Sequence, residues 1–194
     1  MSSTSPPADG AATIEVVHGS MFGGKTEHMI KRLREATAAG KRVAAFKHCI
    51  DDRYAENEIV THAGDRFEAI NVPDTAAILE KAGDYQYVAI DEGHFFGMTL
   101  VETAQALKDR GISVLVAGIT FDAWGRPFDP MPQVCAIADE ETIRRSACTK
   151  CGQPAEYTQR MTEVNTQHMV GGVNDYEPRC QAHFEPLKTP PEER

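Results

Sequence analysis

Four short stretches of the chain are almost continuously apolar: residues 14–18, 42–48, 87–91 and 112–118. Runs of this length without polar alternation predict parallel strands buried on both faces. Between them the apolar positions recur at helical spacing. Residues 26–39 place Met29, Ile30, Leu33 and Ala36 on one face and stop at Gly40, which predicts an amphipathic helix with a glycine end. Asp74 is a suitable N-cap for a helix to residue 82, and a further helix is predicted over 99–110, ahead of Gly111. Strands alternating with helices in this way specify an α/β fold, an open and mainly parallel sheet flanked by helices. Such sheets bind ligands at the carboxyl ends of their strands. Beyond about residue 143 the apolar runs shorten, and Cys, Gly, Thr and Asn become frequent. The expected division is a leader over 1–12, a nucleotide-binding domain over 13–143, a small domain over 144–187 and a polar tail over 188–194.

Composition narrows the class. The net charge of −9 over 194 residues disfavours a protein whose main partner is a nucleic-acid backbone, which calls for a basic surface. It leaves open a small phosphate-bearing ligand held by backbone N–H groups. The N-terminal MSSTSPPADGAA has neither a basic start nor an apolar middle and is not expected to be a secretory signal. Nor does any run reach the roughly 18 apolar residues that a membrane-spanning helix needs. With five cysteines at uneven spacing, a reducing cytoplasm is the expected compartment, and Cys49 and Cys135 read as isolated buried thiols.

The first candidate chemistry follows the first strand. Gly19-Ser20-Met21-Phe22-Gly23-Gly24-Lys25-Thr26 fits the phosphate-loop spacing G-x-x-x-x-G-K-[ST], with a strand before it and a helix after it. Its glycines let backbone N–H groups face phosphate oxygens, Lys25 reaches the β- and γ-phosphates, and the Thr26 hydroxyl suits Mg²⁺. The competing reading is a glycine turn that matches by chance. Asp91 then ends the third strand, where such folds place a carboxylate that assists Mg²⁺. Glu92 beside it is a candidate base for an attacking hydroxyl. The alternative is that the pair only opens a loop.

Cys148 and Cys151 form one pair and Cys180 and His183 a second, both separated by two residues. Three thiolates and an imidazole make a closed tetrahedral site, the structural arrangement of Zn²⁺. A redox dithiol at Cys148 and Cys151 is the rival reading. The intervening stretch QHMVGGVNDY, residues 167–176, reads by itself as a flexible loop, or as a substrate lid if it faces the phosphate site.

In order along the chain, GSMFGGKTE, KHCIDDRY with THAG, AIDEGHFF, GRPFDPMP, CTKCG, YTQR and VGGVNDYEPRCQAH resemble the zinc-containing thymidine kinases shared by the animal cytosol and many bacteria. The resemblance spans roughly residues 13–187. It implies transfer of the γ-phosphoryl group of ATP to the 5′-hydroxyl of thymidine with Mg²⁺, structural Zn²⁺, a homotetramer and inhibition by the end-product triphosphate. On the matching positions it implies that Gly19 to Thr26 hold the ATP phosphates, with Asp51 and Arg53 near them. Asp91 and His94 match a nucleotide-contacting stretch, and Glu92 is the proton acceptor. Met21 is implied to lie near the thymine methyl. Gln167, His168, Met169, Val170 and Gly171 match a lasso whose backbone binds the base, and Tyr176 matches a tyrosine closing over the nucleoside. Cys148, Cys151, Cys180 and His183 match the zinc ligands. The chain departs from the family at His94, where glutamine is usual, and at Ala123, where a phenylalanine usually packs on the base. Phe121 or Trp124 is then the expected aromatic surface. Deoxyuridine is expected as second substrate. The alternatives are a kinase for another deoxynucleoside and a phosphate-loop ATPase whose zinc module grips DNA or protein.

Overall fold

The computed structural model describes residues 11–51, 57–61, 63–162 and 175–188. In chain order the elements are β1 (Ile14–Gly19), α1 (Lys25–Ala38), β2 (Val43–His48), β3 (Glu58–Val60), β4 (Arg66–Glu68), β5 (Ile70–Val72), α2 (Thr75–Lys81), β6 (Tyr87–Ile90), α3 (Thr99–Asp109), β7 (Ser113–Ile119), α4 (Met131–Ala136), β8 (Glu140–Arg144), β9 (Tyr157–Arg160) and β10 (Tyr176–Arg179). Single 3₁₀ turns lie at Gly93–Phe96 and Gln181–His183.

Six strands form one sheet in the order β5-β2-β6-β7-β1-β8, and every neighbouring pair is parallel. The four apolar runs supply its interior. On one face, Met29, Ile30 and Leu33 of α1 cover Val17, Ala45, Ala89, Leu115 and Ala117. On the other, Ile78 of α2, Leu100 and Leu107 of α3 and Val134 of α4 cover Val16, Phe46, Val88, Ile90 and Val116. Burial on both faces explains why these strands read as unbroken apolar runs, each large side chain contributing about 1.5–3 kcal/mol. Asp74 caps α2 as expected, its carboxylate accepting from the Ala77 N–H at 2.8 Å. No helix among the described residues is long and apolar enough to cross a membrane.

Two features differ from the sequence expectation. Glu140–Arg144 is a sheet strand although four of its five residues are exposed. It is an edge strand that pairs only with β1, so it needs no apolar run. Cys49 is exposed, because it lies just past the end of β2, and Cys135 is half-buried.

Candidate active site

Because all six sheet strands run the same way, the segments that follow β1, β2, β6, β7 and β8 leave one edge of the sheet. These segments carry the phosphate loop, Asp51, Asp91–His94, the stretch 120–128 and the start of the zinc pairs. The phosphate loop joins β1 to α1, with Gly24 in the left-handed conformation at the head of the helix. Gly19 cannot be replaced, since a Cβ there would lie 1.9 Å from the Arg144 carbonyl oxygen of the neighbouring strand. Lys25 is buried and its Nζ donates to the Ser20 carbonyl at 2.8 Å.

The outside of this loop is tied to the chain beyond β8. Ser20 Oγ donates to the Ala155 carbonyl at 3.1 Å, and the Met21 N–H donates to Thr158 Oγ1 at 3.0 Å. Ser146 Oγ donates to the Met21 carbonyl at 3.2 Å, and Arg144 Nε to that of Gly23 at 3.3 Å. None of these ties was legible beforehand, as each joins residues more than a hundred positions apart.

Asp91 follows β6, and its Oδ1 accepts from the Glu92 N–H at 3.0 Å. Glu92 adopts φ 48°, and Phe22 in the phosphate loop adopts φ 62°. Among the described residues these are the only non-glycine positions with positive φ. Left-handed backbone at a bulky residue costs on the order of 1–3 kcal/mol and persists where the surrounding structure imposes it, often at functional sites. Both strained residues stand in the two stretches singled out for chemistry. The Glu92 side chain is 17% exposed, with Oε2 3.7 Å from His94 Nδ1. His94 is buried, its ring 4.3 Å from that of Phe95 and 4.7 Å from that of Phe128. Asp51 is buried too, its N–H bonded to the His48 carbonyl.

In the stretch after β7, the Asp122 carboxylate organises the turn. It accepts from the N–H groups of Trp124 and Arg126 and from Arg126 Nε. Trp124 is buried with the Arg126 guanidinium 5.5 Å from its ring centre. Phe121 packs on Tyr157 at 4.8 Å, and Tyr157 stacks on Phe184 at 4.4 Å. Phe128, not singled out from the sequence, is the ring from this stretch that meets His94. Tyr176 lies on β10, where its hydroxyl accepts from Arg160 and the guanidinium sits 4.7 Å over the ring. Arg53 and the lasso residues Gln167, His168, Met169, Val170 and Gly171 lie outside the described residues.

The two cysteine pairs meet. The donor atoms of Cys148, Cys151, Cys180 and His183 all lie within 4.8 Å of one another. Antiparallel pairing of β9 with β10 delivers Cys180, and the turn at Gln181–His183 brings His183 round to it. Gly152 supplies the left-handed residue that closes the knuckle at φ 75°. The Cys151 and Cys180 sulfurs are 3.6 Å apart, and Cys180 Sγ is 3.2 Å from His183 Nδ1. Tetrahedral Zn²⁺ with bonds of about 2.0–2.3 Å needs ligand separations of about 3.5–3.8 Å, so the donor set fits the ion with small adjustment. Burial pushes the Cys148 thiol up, but the N–H groups of Cys180, Lys150 and Cys151 outweigh it and bring it down to about 6. That favours the thiolate a metal requires.

The thymidine kinase family model matches residues 12–184. The curated thymidine kinase of Porphyromonas gingivalis is 41% identical over 180 residues, covering 93% of this chain and 88% of that protein. That of a Rhodothermus species is 43% identical over 173 residues, covering 89% and 81%. The thymidine kinase of Bdellovibrio bacteriovorus is 42% identical over 174 residues, covering 89% and 85%.

Proposed function

Since this chain belongs to the thymidine kinase family, we propose that it transfers the γ-phosphoryl group of ATP to the 5′-hydroxyl of thymidine, accepting deoxyuridine less well. The observation that carries the reading is Glu92, a largely buried acid held in left-handed backbone on the sheet edge that bears the phosphate loop. In this reading the loop from Gly19 to Thr26 binds the ATP phosphates, and Lys25 leaves the Ser20 carbonyl to meet them. Asp51, Arg53 and His94 complete the nucleotide side. The Thr26 hydroxyl and Asp91 carboxylate are the oxygen donors that suit Mg²⁺, which when bound offsets charge on the transferring group. Glu92 orients the 5′-hydroxyl and takes its proton, so that the new P–O bond forms as the bond to ADP breaks. Since phosphoryl transfer asks the protein mainly for position and charge, a loop of N–H groups and one base suffice.

On the acceptor side, the resemblance assigns the pyrimidine edge to the backbone of residues 167–171, which lie outside the described residues, with Tyr176 closing over it and Met21 meeting the thymine methyl. Phe121 and Trp124 line the base on this account. Their packing on Tyr157 and Arg126 supports a role as wall, and Phe128 against His94 adds a third ring. Residues 13–143 act as the nucleotide domain and 144–187 as a zinc-held acceptor domain. The resemblance in sequence supports a cytoplasmic homotetramer.

The test is product identity. Incubation with Mg-ATP and thymidine is expected to yield thymidine 5′-monophosphate and ADP in equal amounts, with ADP release depending on the nucleoside. ADP release that ignores nucleoside but responds to DNA would overturn the reading in favour of an ATPase.

A further inference from the structure

We propose that His18, Cys135 and Glu141 form a second divalent-metal site, of the zinc class, directly behind the phosphate loop. His18 is the last residue before Gly19, so the site sits against the base of the loop rather than in the crevice. Its donor atoms and those of Cys135 and Glu141 all lie within 4.8 Å of one another.

Three elements bring them together. Within the parallel pairing of β1 and β8, Glu141 lies opposite Val16 and Ile143 opposite His18. Side chains two apart on a strand share a face, so His18 and Glu141 project from the same side of the sheet. That side is the one covered by α4, which carries Cys135 against the core cluster containing Val16 and Val134. His18 Nε2 is 2.6 Å from Glu141 Oε1. The other ring nitrogen, Nδ1, is 2.8 Å from Thr120 Oγ1. Without an ion the 2.6 Å contact is a hydrogen bond in which His18 Nε2–H donates to Glu141; with one bound, the tautomer that donates Nδ1–H to Thr120 would turn the Nε2 lone pair toward the metal. Metal-ligating histidines are oriented by such a bond on the far nitrogen, and here the orienting group lies outside the ligand set.

Nitrogen, sulfur and carboxylate donors together suit Zn²⁺ or Co²⁺ rather than Mg²⁺, and since burial and the neighbouring Glu141 carboxylate push the Cys135 thiol up to about 11, the ion must displace its proton on binding. Ligand separations around such an ion are about 3.3–3.8 Å, so Glu141 must draw back slightly from His18. Its side chain is 49% exposed and free to do so, and the same exposure gives the ion a way in, while the His18 side chain is 8% exposed and fixed. Three protein ligands leave one position for water. The occupied site would tie β8 and α4 to the strand end from which the phosphate loop springs.

This proposal does not depend on the kinase reading, and metal counting tests it. The full-length protein, with its Cys148–His183 site filled as isolated, is equilibrated with micromolar free zinc, desalted and analysed by elemental analysis. The expected result is two equivalents for the native chain and one for Cys135→Ser and for Glu141→Gln. Titration with Co²⁺ should add a thiolate-to-cobalt absorption band that Cys135→Ser lacks. A native chain that saturates at one equivalent would overturn the proposal, leaving a His18–Glu141 hydrogen bond beside an inert thiol. So would a second equivalent that survives Glu141→Gln, a change at a half-exposed side chain that the fold should tolerate.

Discussion

Replacing Glu92 by glutamine is expected to lower turnover by about 10²–10⁴-fold while leaving ATP affinity near its native value, as for the loss of a general base. The substitution keeps shape and hydrogen-bonding reach but removes the proton-accepting charge. Its backbone should be unaffected, because Glu92 occupies its left-handed position through the exit of β6 and the bond of its N–H to Asp91, with no side-chain cap on the following turn. Lys25→Ala provides the contrast, since it removes a phosphate ligand and should weaken both ATP binding and turnover. Steady-state kinetics of the two variants, with ATP and nucleoside varied separately, decide the assignment. Near-normal turnover in Glu92→Gln would make the base assignment wrong, and Asp51, buried at the same edge, would be tested next.

Removing the Cys148–His183 metal should be nearly as costly, and by a different route. Protein purified without chelator should carry at least one zinc. Stripping it, or Cys180→Ser, is expected to lower the melting temperature by more than about 10 °C, since a small segment with little core of its own relies on its metal to fold. The Michaelis constant for ATP should rise with it. The reason is the set of ties from Ser146, Ala155 and Thr158 to Met21 and Ser20, which hold the phosphate loop from outside. If the knuckle loosens, those partners go too, and the loop must order itself on binding ATP. Zinc-free protein with native melting temperature and native ATP kinetics would contradict this account.

Which parts of this arrangement could be read from the sequence follows from how local each one is. β1, β2, β6 and β7 are interior strands, and burial on both faces wrote them as apolar runs. β8 is an edge strand of largely exposed residues and carried no such mark. The phosphate loop was legible because its spacing is contained in eight consecutive residues and its flanks agree with it. The Cys and His donors of the candidate zinc site were legible as two local pairs, although their meeting depends on β9 pairing with β10. What could not be read was long-range. The strain at Phe22 and Glu92 arises where strands end, and neither residue type announces a left-handed backbone. The contact of His94 with Phe128 joins the exits of β6 and β7. Nothing in residues 144–158 taken alone shows that they brace the phosphate loop.

The most direct measurement of the central claim is a competition among thymidine, deoxyuridine, deoxycytidine and deoxyguanosine at fixed Mg-ATP, read as relative kcat/KM. Thymidine should be phosphorylated fastest. Deoxyuridine should follow at a disadvantage of roughly 10- to 200-fold, the value of one methyl group in an apolar contact. Deoxyguanosine should not react, because a purine would collide with Tyr176 in the closed acceptor site. Faster phosphorylation of deoxycytidine or deoxyguanosine than of thymidine would contradict the account.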